Sequence, residues 1–151
     1  MANFSDIPKD LKHFAFTLQA NTETRQREVA LTITRELMQR NPKKTGRSAG
    51  NWQVGMNRPK LIAQAPPVSE RASDEELSKS SKLFVQKQLS KAINDITKGT
   101  LRGDDPVIYI SNTINYVVYL NTTRPSPQAA PGWIEASIRF GADSTKGVKL
   151  T

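Results

Sequence analysis

Between Ser73 and Gly99 the chain carries a stretch whose two ends and periodicity all demand a helix. Ser73-Asp74-Glu75-Glu76 opens it and Lys98-Gly99 closes it. A serine at the cap accepts from an amide of the first turn, while a glutamate three residues on can reach back to the cap's own N–H. Leu77, Phe84, Leu89, Ala92, Ile93 and Ile96 follow as a broad apolar stripe, and Gly99 stands where a left-handed residue would end the helix. The acidic triplet Asp74, Glu75 and Glu76 reads as charge favouring the positive end of the helix dipole, rather than as a metal cluster.

Upstream, Ser5 or Asp6 caps a helix that Pro8 can open in its first turn. Leu11, Phe14, Ala15 and Leu18 lie at helical spacing; Asn21, Thr22 and Thr24 interrupt it; Val29, Ala30, Ile33 and Leu37 resume it as far as Arg40. The spacing predicts one long helix with a soft point near Asn21, or two collinear ones. Asn41-Pro42 stops it, because proline disfavours α geometry in the residue before it. Gly46 and Gly50 mark turns, and Asn51-Trp52-Gln53-Val54 alternates as a half-buried strand with Trp52 and Val54 on one side. Leu61 and Ile62 are expected in a second short strand across a Gly55–Pro59 turn. Pro66-Pro67 places 63–72 in a loop.

Further along, Leu101–Pro106 reads as a turn, with Asp104-Asp105 as turn formers rather than paired catalytic acids. Val107–Ile110 is a strand. Ser111 or Asn112 can cap the next segment, in which Ile114, Val117, Val118 and Leu120 fit either a short helix or a continued strand. Thr122–Pro131 is a proline-rich loop, and Pro131 launches a helix with Trp133, Ile134, Ser137 and Ile138 along one face. The reading is an α+β fold: a long N-terminal helix, a small mostly antiparallel sheet built from the Trp52 and Val107–Ile110 regions, a middle helix and a C-terminal helix. One domain is expected over 1–141, with a flexible C-terminal tail at 142–151.

At 151 residues one core can be buried without staples. The absence of cysteine excludes disulfides and thiolate metal sites, and the single histidine, His13, reads as a surface or packing residue. No apolar run approaches 18 residues and Met1–Ala20 has no signal-peptide pattern, so an intracellular protein with no membrane attachment is expected. The net charge of +8 is uneven: 1–60 holds 11 Lys/Arg against 5 Asp/Glu, 61–105 balances at 7 against 7, and 106–151 has 4 against 2. Its densest point is Arg40, Lys43, Lys44 and Arg47, where cations complement a helix C-terminus or, alternatively, face DNA or an acidic partner. Lys43-Lys44-Thr45-Gly46 is not a phosphate-binding loop, since that loop needs its glycine just before Lys-Ser/Thr. No Gly-x-Ser-x-Gly elbow or Ser/His/Asp set occurs, and no cofactor is indicated.

The stretch Tyr109–Ile138 holds all three tyrosines and one of the two tryptophans, and reads as a loop held between two packed elements. Together with Thr45-Gly46-Arg47 and Asn51-Trp52-Gln53-Val54, it carries a family likeness. The run Val107-Ile108-Tyr109-Ile110-Ser111-Asn112, then Asn115-Tyr116, Tyr119-Leu120-Asn121 and Ser126-Pro127-Gln128-Ala129-Ala130-Pro131-Gly132-Trp133, resembles the neck and tail-completion proteins of tailed bacteriophages. The match runs in order from about Phe4 to Ile138. Asn121-Thr122-Thr123-Arg124 lacks the glycine that family members often carry there.

The resemblance implies a virion structural protein without catalytic activity, made in the host cytoplasm and placed at the head–tail junction. It would form a homo-oligomeric ring joining the head connector or adaptor to the tail terminator or tube, with DNA passing in transient, non-specific contact. Trp52, Tyr116, Tyr119 and Trp133 are expected as structural anchors. Thr45, Gly46, Arg47, Arg124, Ser126, Gln128 and Pro131 are expected at contacts with neighbours, and Arg40, Lys43 and Lys44 toward DNA. The alternative is a small basic DNA-binding protein, whose affinity would fall steeply with salt.

Overall fold

A strand, not a helix, is the first described element of the computed structural model, which describes residues 14–20, 22–42, 46–60, 62–65, 73–114, 116–122, 131–143 and 148–150. β1 covers Phe14–Ala20. This corrects the expected helix at Phe14, Ala15 and Leu18; its expected start at Ser5, Asp6, Pro8 and Leu11 lies outside the described residues. Phe14, Phe16 and Leu18 also alternate with Ala15, Thr17 and Gln19, and aromatic residues favour a pleated surface. Leu18 is fully buried while Thr17 and Gln19 are half-buried. The expected soft point is the junction: Thr22 caps α1, Glu23–Arg40, its side chain accepting from the Arg25 amide. Asn41 ends α1 as Pro42 requires.

A 3-10 turn at Ala49–Asn51 leads into β2, Gln53–Met56. The middle helix α2 spans Asp74–Lys98, with Ser73 Oγ accepting from the Glu76 amide. β3 is Ile108–Asn112, and the segment after it resolves as a short helix, α3, Val117–Thr122. Asn112 Oδ1 accepts from the Ile114 amide just before it. α4 spans Trp133–Asp143, with Trp133, Ile134, Ser137 and Ile138 all buried as their shared face predicts.

The sheet order is β2-β3-β1-β4, every pairing antiparallel; β4 is Val148–Leu150. The expected tail from 142 is therefore corrected: α4 continues to Asp143, and Val148–Leu150 pairs with the open edge of β1. The ladders set Leu18 opposite Ile108 and Val54 opposite Ile110, a row no more than 1% exposed. α1 covers it with Val29, Ala30, Ile33 and Leu37, and packs against both α2 and α4. Burying side chains the size of Val29, Ile33 and Leu37 is worth about 1.5–3 kcal/mol each, which holds the helix layer on the sheet.

Gly99 caps α2 as expected, its amide donating to the Asp95 carbonyl at 2.9 Å, and two glycines meet close neighbours. Gly99 is extended, not left-handed, at φ −64°; a β-carbon there would stand 2.4 Å from the Asp95 carbonyl and 2.7 Å from Met56 Cγ. Gly141 lies within α4, where a β-carbon would stand 2.2 Å from Ile33 Cγ1. The expected hairpin partner of β2 does not form at 62–65, Leu61 being outside the described residues; β2 pairs with β3 and stands at the edge of the sheet. Among the described residues no helix is long and apolar enough to cross a membrane.

Candidate functional site

The segments singled out in the sequence converge where α1 ends, β2 begins and α4 begins. Trp52, 1% exposed, and Trp133, 4% exposed, meet edge to face with centroids 6.1 Å apart. Such a pair adds about 0.5–1.5 kcal/mol beyond its buried area. Each indole also needs an acceptor once removed from water, and each has one. Trp52 Nε1 donates to Asn41 Oδ1 at 2.9 Å, and Trp133 Nε1 donates to the Leu120 carbonyl at 3.0 Å.

Around Trp52 the polar groups form a continuous chain. Asn41 Nδ2 donates to Ser48 Oγ at 2.7 Å, and Asn112 Nδ2 donates to the Ser48 carbonyl at 2.8 Å. These bonds tie the loop after α1 to the end of β3, 64 residues apart in sequence. Asn51 Nδ2 donates to the Arg47 carbonyl and to the Gln64 carbonyl, while Asn51 Oδ1 accepts from the Gln64 amide. Ser111 Oγ donates to the Lys60 carbonyl, and Gln53 Nε2 to the Ile62 carbonyl. Side chains thus hold Lys60, Ile62 and Gln64 beside β2 without a strand pairing.

Asn121 does similar work at the other side. Its carbonyl accepts from the Gly132 amide at 2.7 Å, and its Oδ1 accepts from the Ile134 amide at 2.8 Å. Its Nδ2 donates to both Glu135 oxygens, at 3.0 and 2.9 Å. One buried side chain therefore satisfies an orphan amide at the start of α4 and joins it to the end of α3. Gly132, at φ +82°, takes the left-handed geometry this closure needs.

The expected contact residues divide. Pro131 and Arg47 are exposed. Gly46 is not a surface residue: it is buried at φ +80°, and a β-carbon would stand 2.9 Å from Ser81 Oγ and 3.1 Å from the Ser81 carbonyl. It turns the chain tightly against α2. Thr45, Arg124, Ser126 and Gln128 lie outside the described residues, as do Lys43, Lys44 and His13. Arg40, expected toward DNA, pairs with Glu36 at 3.0 Å and lies 5.9 Å above the Phe140 ring. Of the anchors, Trp52 and Trp133 are core residues and Tyr116 is half-buried, whereas Tyr119 is 56% exposed and does not anchor the core. A six-residue helix has room for one buried face, and Val117 and Asn121 occupy it.

Sequence reasoning missed the buried polar residues that make these ties. Gln26, 1% exposed, donates to the carbonyls of Leu18 and Pro106, both at 2.8 Å. Arg27 donates to the carbonyls of Ile96 and Gly99 at the end of α2 and pairs with Glu23. Only Asn41, before a proline, carries a local signal. Comparison with protein-family models, with curated proteins and with solved structures finds no match.

Proposed function

We propose that the chain is a non-enzymatic structural subunit of a tailed-phage head–tail junction, assembling with copies of itself into a ring that joins the head connector to the tail and lets DNA pass. The observation that carries this reading is the clamp at Asn121. Residues 123–130 connect the end of α3 to Pro131, and the two ends of that segment are fastened together by the Gly132 amide donating to the Asn121 carbonyl at 2.7 Å. That bond fixes the chain before and after this segment on one base, so these two flanks need no further ordering when a neighbour is met.

The Trp52–Trp133 contact gives further support, because it brings the two segments bearing the family-like motifs into one rigid unit. Native mass measurement with electron microscopy of the purified protein tests the proposal, together with imaging of virions that lack it. Closed rings and unjoined heads and tails are expected. A protein that stays monomeric, and virions whose heads and tails join without it, would overturn the reading.

A further inference from the structure

Beside β2 lies a half-open groove of about 400 Å³, at the small end of ligand-sized cavities. Its floor is apolar: Trp52, Val54 and Ala92, none more than 3% exposed, line it. Lys60 and Lys91 stand at its rim, and Lys60 is paired with Asp95 at 2.6 Å. Ile62, 79% exposed, forms an apolar lip.

Gln88 also lines the groove. It is 6% exposed, and its Oε1 is buried without a hydrogen-bond partner. A buried acceptor left unmade is costly, so its persistence at the wall of a cavity points to a donor from outside. The oxygen itself is buried, and the terminal amide torsion of glutamine is broad, so meeting a ligand donor requires that amide to rotate toward the groove. A bare anion would use the lysines and leave the floor and Gln88 unserved. A hydrocarbon would fill the floor and leave the acceptor unpaired.

We propose that this groove binds an acidic peptide segment of another protein, inserting a tyrosine or tryptophan side chain whose O–H or N–H meets Gln88 Oε1. The ring packs on Trp52, Val54 and Ala92, and flanking carboxylates meet Lys91 and Lys60. The chain's own sequence supplies no such segment. Tyr109, Tyr116, Tyr119 and Trp52 have no acidic residue within two positions, and Trp133, two before Glu135, is buried. The proposal does not depend on ring assembly.

The test is a titration of the isotopically labelled full chain, followed by NMR, with three capped tripeptides: Asp-Tyr-Asp, Asp-Phe-Asp and Lys-Tyr-Lys. Asp-Tyr-Asp is expected to move the resonances of Val54, Ala92 and the Gln88 side-chain amide, and to bind about tenfold more tightly than Asp-Phe-Asp, the value of one buried hydrogen bond. Lys-Tyr-Lys should bind more weakly, and Lys91→Glu should weaken Asp-Tyr-Asp. In both Gln88→Leu and Gln88→Met, checked for folding by circular dichroism, the Tyr-to-Phe preference should vanish. A preference that is absent in the wild type or survives in these variants overturns the proposal. So do shifts confined to other surfaces, or groove resonances that move with protein concentration alone, which would make a second copy the occupant.

Discussion

The Trp52 indole donates to Asn41 Oδ1 at 2.9 Å, so the residue that ends α1 holds the residue that precedes β2. Both are 1% exposed. Removing the indole N–H takes a donor from a buried acceptor, and Trp52→Phe also leaves a void. We expect Trp52→Phe to cost about 2–3 kcal/mol in urea unfolding. In a double-mutant cycle with Asn41→Leu, a coupling of about 1–2 kcal/mol should appear. Strict additivity would show that the bond contributes nothing.

Gly141 approaches Ile33 so closely that an added β-carbon would overlap its Cγ1 at 2.2 Å. Helix propensity alone favours alanine over glycine by about 1 kcal/mol. The contact reverses that sign, because Ile33 Cγ1 sits next to a branch point and the Ile33 amide nitrogen is only 3.3 Å away. Gly141→Ala should therefore lower stability by about 1–3 kcal/mol, a fall in Tm of roughly 2–10 °C by calorimetry. A rise in Tm would refute the close crossing of α1 and α4.

Arg27 supplies donors to two carbonyls at the end of α2, those of Ile96 and Gly99. These are orphan acceptors of a helix C-terminus, and a guanidinium can serve both at once. Arg27→Lys keeps the charge but loses the fork. It is expected to recover less than half of the roughly 1–3 kcal/mol lost in Arg27→Met. Hydrogen exchange should locate the loss in the last turn of α2. Full recovery by lysine would mean that charge near the helix end suffices.

Local chemistry makes α2 legible, since both its ends and its stripe lie in one continuous stretch. β1 is not legible in the same way, because Phe14 and Leu18 satisfy a helical and an alternating pattern equally over so short a span, and only the register with β3 decides between them. Gly141 carries a role set by Ile33, which lies far off in sequence, and Gly99 meets Met56 as well as the nearby Asp95 carbonyl. At the candidate site, Trp52 and Trp133 stand out singly, as rare large aromatics do. Their contact, and the burial of Gln26, Asn41 and Asn121, depend on which carbonyls and amides the fold strands nearby. No periodicity encodes that.

Asn121 gives the most direct test of how the fold holds the two ends of residues 123–130. Its Nδ2 donates to both Glu135 oxygens, and its Oδ1 accepts from the Ile134 amide. Asn121→Leu removes all of these bonds and leaves the Ile134 amide unpaired, at an expected cost of about 2–3 kcal/mol. Asn121→Asp keeps an acceptor for that amide but sets a second carboxylate against Glu135, at a separation near 3 Å. Like charges that close cannot both be ionised without penalty. The penalty holds at pH 7, and protonation of the pair relieves it as the pH falls, so the deficit of Asn121→Asp against wild type should shrink toward pH 4. The deficit of Asn121→Leu should not change with pH in this way. If the clamped segment is the ring contact, Asn121→Asp should also lose assembly at pH 7 at protein concentrations and temperatures where circular dichroism shows it folded. Intact rings from a folded Asn121→Asp protein would remove the clamp from the assembly argument.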